Sequence, residues 1–165
     1  MSATPSGVNA KALQKLYSRP GFLLRRGHQI AVSIFMQECE KTGLTPPQHG
    51  VLIAAGQHPG LSQSDVARLL GFDRATIGQV VKGLEARGLL RRGSSHDNRR
   101  NKALVLTPQG AAVLRRAALA MHRISTRLLS PFNAKERKLF MALLSRLTAR
   151  LNTESRTPLR GVEKR

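Results

Sequence analysis

Apolar positions along this chain recur at two periods, and the change of period marks where helices give way to strands. Val66, Leu69 and Leu70 return at helical spacing behind Ser62 and Asp65, which occupy the first and fourth places of a capping signal, and Gly71 closes that short helix. Asp73 can cap a second helix running to about Arg87, with Ile77, Val80, Val81 and Leu84 on one face and Gly88 placed to end it. Ala75, Gln79, Lys82 and Ala86 then point the other way. Small side chains beside a glutamine and a lysine make a slim outward face, which suits an element entering a duplex major groove. Past Gly88 the period shortens to that of strands: Leu89, Leu90, Arg91 and Arg92 lead through a polar turn to Ala103, Leu104, Val105 and Leu106. Arg99, Arg100 and Lys102 gather cations at the tip, where they could lie along phosphates or enter a minor groove. Helix, turn, helix and basic hairpin together describe a winged helix-turn-helix.

The flanks are helical. Residues 1–9 read as loose, residues 10–16 offer a turn or two of helix, and Arg19-Pro20-Gly21 is expected to interrupt it. A longer helix follows from Phe22 to about Thr42. It presents Leu23, Gly27, Ile30, Ile34 and Phe35 near one face and Leu24, His28 and Ala31 on an adjoining one, and Gly43 ends it. Thr45-Pro46-Pro47-Gln48 is a capping box opening a buried helix through Val51, Leu52, Ile53 and Ala55, and His58-Pro59-Gly60 is the turn after it. Beyond the wing, Thr107-Pro108-Gln109-Gly110 starts a helix of about six turns with a stripe at Leu114, Ala117, Ala118, Met121, Ile124 and Leu128. Pro131 breaks it. Asn133 and Glu136 cap a last helix whose stripe is Leu139, Phe140, Leu143, Leu144, Leu147 and Leu151.

These stripes exceed what a small winged helix needs to cover its own core, so the surplus predicts a homodimer with Leu139, Leu143 and Leu147 at the seam. The fold class is mainly α with a small β-hairpin wing, a winged helix-turn-helix with N- and C-terminal dimerisation helices. The expected organisation is an N-terminal arm and dimerisation helix over 1–44 and a winged helix-turn-helix DNA-binding domain over 45–107. C-terminal dimerisation helices over 108–152 and a flexible basic tail over 153–165 complete it.

Charge narrows the partner. The 165 residues carry 28 Lys and Arg against 9 Asp and Glu, a formal +19, which points to a polyanion. Residues 1–60 hold +4, residues 61–106 hold +5 and residues 107–165 hold +10, so the total argues for affinity and not for sequence choice. No apolar run approaches the roughly 20 residues that span a bilayer, and the start lacks the apolar core of a secretory signal; no membrane partner and a cytoplasmic location are expected. The single Cys39 cannot form an internal disulfide, and Glu38 and Glu40 beside it should raise its pKa, which disfavours a redox switch.

Catalysis finds little support. The five histidines show no close metal-ligand spacing and the acids are few and scattered, so no enzyme activity, no metal and no cofactor is expected. His28 and His49 sit on largely apolar helices that should approach the dimer cleft, where an imidazole could meet a carboxylate or ring hydroxyl of a small effector. The bland alternative is a histidine satisfied by backbone. Gln29, Arg25 and Arg26 are weaker candidates that could simply be solvated or face DNA. Two functional classes stay open: a sequence-specific, ligand-released repressor, and a non-specific architectural DNA binder. Gln79 and Arg74 separate them, because glutamine can read adenine and arginine guanine through paired hydrogen bonds.

The segments LTPPQHGVL, LSQSDVARLLGFDRATIGQVVKGLEARGLL, SSHDNRRNKALVLT and TPQGAAVL are specific in their order and spacing together. Through them the chain resembles the MarR family of bacterial transcriptional regulators over nearly its whole length. The resemblance implies a homodimer with interlocking terminal helices, two winged lobes on a pseudo-palindromic operator, and effectors lodged between lobes and dimerisation helices. It implies that Ser62 and Gln63 meet phosphate, that Arg74, Thr76, Gly78, Gln79 and Lys82 face the groove, and that Asp97 and Arg99 match the wing's Asp-x-Arg. The chain departs from it in having Gly78 where a hydroxyl is frequent, Lys82 where an acid is frequent, and Arg100 in place of a second wing acid. The phrases DRATIG and GFLLRRGHQ are more similar to a subset controlling catabolism of aromatic and N-heteroaromatic acids, including nicotinate-pathway repressors of the BpsR kind. That implies an effector such as a hydroxylated benzoate or pyridine carboxylate.

Overall fold

The computed structural model describes residues 10–93 and 103–161. There it places α1 (Ala10–Tyr17), α2 (Pro20–Glu38), α3 (Pro46–Gln57), α4 (Gln63–Leu70), α5 (Arg74–Ala86), strands β1 (Leu90–Gly93) and β2 (Ala103–Leu106), α6 (Pro108–Leu128) and α7 (Ala134–Arg150). The chain is mainly helical with one antiparallel hairpin, as the periodicities predict. Asp97, Arg99, Arg100 and Lys102 lie outside the described residues.

Capping sets the helix starts. Thr45, Ser62 and Asn133 each close a full capping box with Gln48, Asp65 and Glu136, while Asp73 and Thr107 cap α5 and α6 with their side chains alone. Pro20 corrects the expected interruption: it stands in the first turn of α2, where a missing N–H costs nothing, so only Ser18 and Arg19 separate α1 from α2. At the other end α2 stops at Glu38, and a 3-10 turn over Glu40–Thr42 leads to Gly43 at φ 58°.

The core belongs to the winged lobe. Val51 and Leu52 of α3, Val66 of α4, Ile77, Val81 and Leu84 of α5, Leu90 and Leu104 of the hairpin, and Val113 and Ala117 of α6 pack into one buried cluster. Ile53 departs from the reading of α3 as buried throughout, because its side chain is exposed on the face turned away from that cluster. Gly110 is where the first turn of α6 meets the residue ahead of β1: a Cβ there would fall 2.0 Å from the Leu89 carbonyl oxygen, so only glycine permits the approach. In the hairpin Leu90 faces Leu106 and Gly93 faces Ala103. The chain entering α4 adds a rung that hydropathy did not reveal, with Leu104 N donating to Leu61 O at 2.8 Å and Ser62 bridging Ala103.

Beyond the lobe, burial thins. Phe35 and Cys39 of the α2 end meet Ala120 of α6 in a small second cluster. Around it Glu38 accepts Arg123 Nε at 2.7 Å and Arg127 Nη1 at 2.7 Å, and Arg127 Nη2 donates to Gln37 at 2.9 Å. Those guanidiniums, Arg123 foremost, hold the Glu38 carboxyl below its ordinary range. α7 buries none of its residues: Leu139, Leu143 and Leu147 are 59%, 44% and 40% exposed in one chain. Leu23, Leu24 and Ile30 of α2 are exposed as well.

Where the sequence leads one to expect a flexible basic tail over 153–165, the described residues as far as 161 lie back against the end of α4. A 3-10 turn over Asn152–Glu154 reverses the chain, and the following residues return to the end of α4, where Arg160 N donates to Arg68 O at 3.1 Å.

Candidate nucleic-acid interface

α5 is braced on one face and open on the other. Its start is fixed by Asp73, whose carboxylate accepts the Thr76 amide at 2.7 Å and the Thr76 hydroxyl at 2.6 Å; these bonds hold the Asp73 pKa down. Ile77, Val81 and Leu84 then anchor the inner face in the core. Ala75, Gln79, Lys82 and Ala86 are exposed along the opposite face, and Arg74 is exposed at its first turn. The structure therefore brings Arg74, Gln79 and Lys82 to one open surface. Thr76 differs from them, since it is half-buried and its hydroxyl proton is committed to Asp73.

Gly78 has a structural use that sequence reasoning missed. The Gln63 amide nitrogen lies 3.3 Å from where a Cβ of Gly78 would stand, so the missing side chain is the space into which Gln63 folds. Gln63 Oε1 in turn accepts Arg92 Nη2 at 3.3 Å, and Arg92 Nε pairs with Glu85 at 3.0 Å. This chain of bonds ties the start of α4, the wing strand and the second half of α5 together. Ser62 is likewise engaged, donating its hydroxyl to Asp65 at 2.6 Å while accepting the Asp65 amide. Ser62 to Asp65 are half-buried, so the first turn of α4 is only partly open to solvent. The far end of α5 is pinned by Arg87, which donates to Thr42 O at 2.7 Å and Gly43 O at 2.8 Å. No local pattern announces that contact, because its partners lie over forty residues away.

The three candidate effector residues are not gathered in one chain. His49 is half-buried with its ring edge toward Phe35, centroids 5.7 Å apart, and burial lowers its pKa. His28 is exposed on α2, seven residues before Phe35 and so about 10 Å along the helix from it. Gln29 is exposed and accepts Arg25 at 3.0 Å and Arg26 at 3.1 Å. Cys39 is buried, and burial outweighs the neighbouring Glu38 in raising its pKa, which corrects the cause expected from sequence. Among the described residues no group of three or more His, Cys, Asp or Glu is placed to hold a metal ion, and no helix is long and apolar enough to cross a membrane.

The model of the MarR family matches residues 42–100. A Thauera aromatica protein, provisionally named as the transcriptional regulatory protein for the hcr operon, is 37% identical over 139 residues, covering 84% of this chain and 82% of its own length. The structure of Bordetella bronchiseptica BpsR, whose DNA binding is regulated by 6-hydroxynicotinic acid, superposes with a TM-score of 0.74 at 31% identity, over 80% of this chain and 94% of that one. The repressor CouR bound to a 23-mer DNA duplex superposes with a TM-score of 0.75 at 28% identity, over 87% of this chain and 99% of that one.

Proposed function

From the premise that this chain belongs to the MarR family of transcriptional regulators, we propose that it is a homodimeric, ligand-responsive repressor of a pseudo-palindromic operator. The observation that carries this reading is the face of α5: Arg74, Gln79 and Lys82 are exposed on a helix held from behind by Ile77, Val81 and Leu84 and from the side by Gln63, Arg92 and Glu85. A rigid helix with slim, hydrogen-bonding outer side chains can read base edges, with Gln79 suited to adenine and Arg74 to guanine. Lys82 and the wing cations Arg99, Arg100 and Lys102 serve the phosphates, as do Ser62 and Gln63 at the start of α4. Thr76 and Gly78 act at the same surface through others, one by holding the helix start and the other by seating Gln63. Regulator names among the relatives support binding over catalysis.

Dimerisation supplies the geometry of release. The uncovered stripe at Leu139, Leu143 and Leu147, with the exposed apolar side chains of α2, is the seam. Two recognition helices must then stand roughly 34–36 Å apart, so a molecule wedged between lobe and dimer helices that changes this spacing loses both half-sites at once. A hundredfold preference for the incompetent spacing provides about 2.7 kcal/mol of coupling. The effector we infer is a small aromatic or N-heteroaromatic acid of the hydroxynicotinate type, contacting His49 near Phe35 and, across the assembled dimer, His28 and Gln29. The regulation of BpsR by 6-hydroxynicotinic acid supports that class, while p-coumaroyl-CoA in CouR marks an acyl thioester as the competing one.

The experiment is fluorescence anisotropy on the DNA upstream of the protein's own gene and on a scrambled duplex, across a salt series. Gln79→Ala should weaken operator binding by about 1–3 kcal/mol and leave the scrambled duplex unaffected. Equal losses on both would favour a non-specific architectural binder. Hydroxylated benzoates and pyridine carboxylates should lower operator affinity, less so in His28→Ala and His49→Ala; no effect on the parent protein overturns the ligand class, and unchanged release in both variants overturns the pocket.

A further inference from the structure

The segment after α7 is held by contacts that no helix or strand pattern encodes. Thr157 Oγ1 donates to Gly71 O at 2.7 Å, and the Arg160 amide takes the Arg68 carbonyl, so two backbone acceptors at the end of α4 are satisfied by the C-terminal segment. Asn152 clamps Leu159 from both sides, its Oδ1 accepting Leu159 N at 2.8 Å and its Nδ2 donating to Leu159 O at 3.0 Å. Gly71, at φ 66°, would place a Cβ 3.0 Å from a Leu159 methyl and 3.1 Å from Thr157 O. The glycine that ends α4 is thus also the seat of this strap.

Its position matters more than its fixation. Gly71 precedes Arg74 by three residues, so the strap lies within about 10 Å of chain from the first turn of α5. Arg156 and Arg160 are exposed on it and enter no ion pair among the described residues. The acids nearby in the chain are accounted for: Asp65 is paired with Arg68, Asp73 caps α5, and Glu154 is exposed on the turn before the strap. Arg68, whose carbonyl takes the Arg160 amide, and Arg74, three residues past Gly71, are exposed next to the strap's attachment points along the chain.

We propose that residues 155–161 form a phosphate-binding strap, in which Arg156 and Arg160 contact the DNA backbone flanking the groove entered by α5. This rests on the DNA-binding reading above and adds to it a surface from outside the winged helix. Being directed at phosphate, the strap contributes affinity without sequence preference.

The probe is a random-sequence duplex, for which specific contacts are irrelevant. Each phosphate contact adds about 0.9 to the slope of log K against log salt, so Arg156→Gln with Arg160→Gln should flatten the slope by about 1.8 for each protomer seated on the duplex, about 3.6 for the homodimer. Between about 50 and 200 mM salt the double variant should then lose roughly a hundredfold less affinity than the parent homodimer. Thr157→Val keeps both charges but removes the bond to Gly71, and should flatten the slope in part. A double variant with the parent slope overturns the strap; a Thr157→Val chain with the parent slope shows that docking has no role and overturns it too. Each arginine replaced singly, with an expected change of about 1.8 for the homodimer, carries the test if the double variant melts early. A parent protein that binds no duplex at all would instead overturn the functional reading itself.

Discussion

Leu52, Ile77, Leu84 and Leu104 of the winged lobe are completely buried within one chain, whereas α7, seventeen residues long, buries nothing. Both regions carry leucines at regular spacing, yet only the lobe meets its own second layer. Fully burying such a side chain contributes about 1.5–3 kcal/mol, so the lobe has a source of stability that α7 lacks in isolation. α7 is instead specified locally, by the Asn133–Glu136 capping box and by good helix formers, and its apolar face is left uncovered within one chain. Amphipathic periodicity says that a face will be covered; it does not say whether the cover lies in the same chain.

That contrast can be broken most severely at the seam. Leu143→Asp with Leu147→Asp should convert the dimer to monomer in analytical ultracentrifugation and remove operator binding, since an unpaired buried carboxylate is strongly disfavoured. The winged lobe, which owes nothing to α7 for its core, should still melt cooperatively. A fully dimeric double variant would remove this assignment of the interface.

A smaller effect, on the other side of the comparison, is expected from Gly110→Ala. The added methyl must push α6 off the Leu89 carbonyl, costing about 1–3 kcal/mol in a urea titration while leaving the oligomeric state alone. A neutral result would mean that α6 can slide along the hairpin.

The smallest effect lies between the two regions, at Glu38. Its folded pKa is depressed below the ordinary 4.5, so the stabilising contribution of the Arg123 and Arg127 pairs is complete above that value and is lost as pH falls through the depressed one. Thermal midpoints of the parent protein and Glu38→Gln should therefore differ at about pH 6 and converge toward pH 3. A constant difference across that range would show that the pair is held by packing rather than charge.

What was legible in the sequence follows the range of each interaction. Capping boxes, the stops at Gly71 and Gly88 and the outward set Ala75, Gln79, Lys82 and Ala86 are decided within a few residues, and the structure places them as read. Gln63 over Gly78, Arg87 on residues 42 and 43, and Glu38 with Arg123 depend on distant partners and left no periodic trace. The strap was hidden for a different reason. It is held by a threonine hydroxyl, an asparagine amide and backbone, so its sequence lacks the apolar rhythm that marks a docked segment and reads as a loose tail.

Arg87 gives the molecule a linkage of the kind found between a lever and its fixed bracket. Thr42 and Gly43 close the 3-10 turn that follows α2, and the guanidinium joins their carbonyls to the end of α5. One guanidinium thus gives the exit from α2 and the trailing end of α5 a shared fixed point, so the posture of one bears on that of the other.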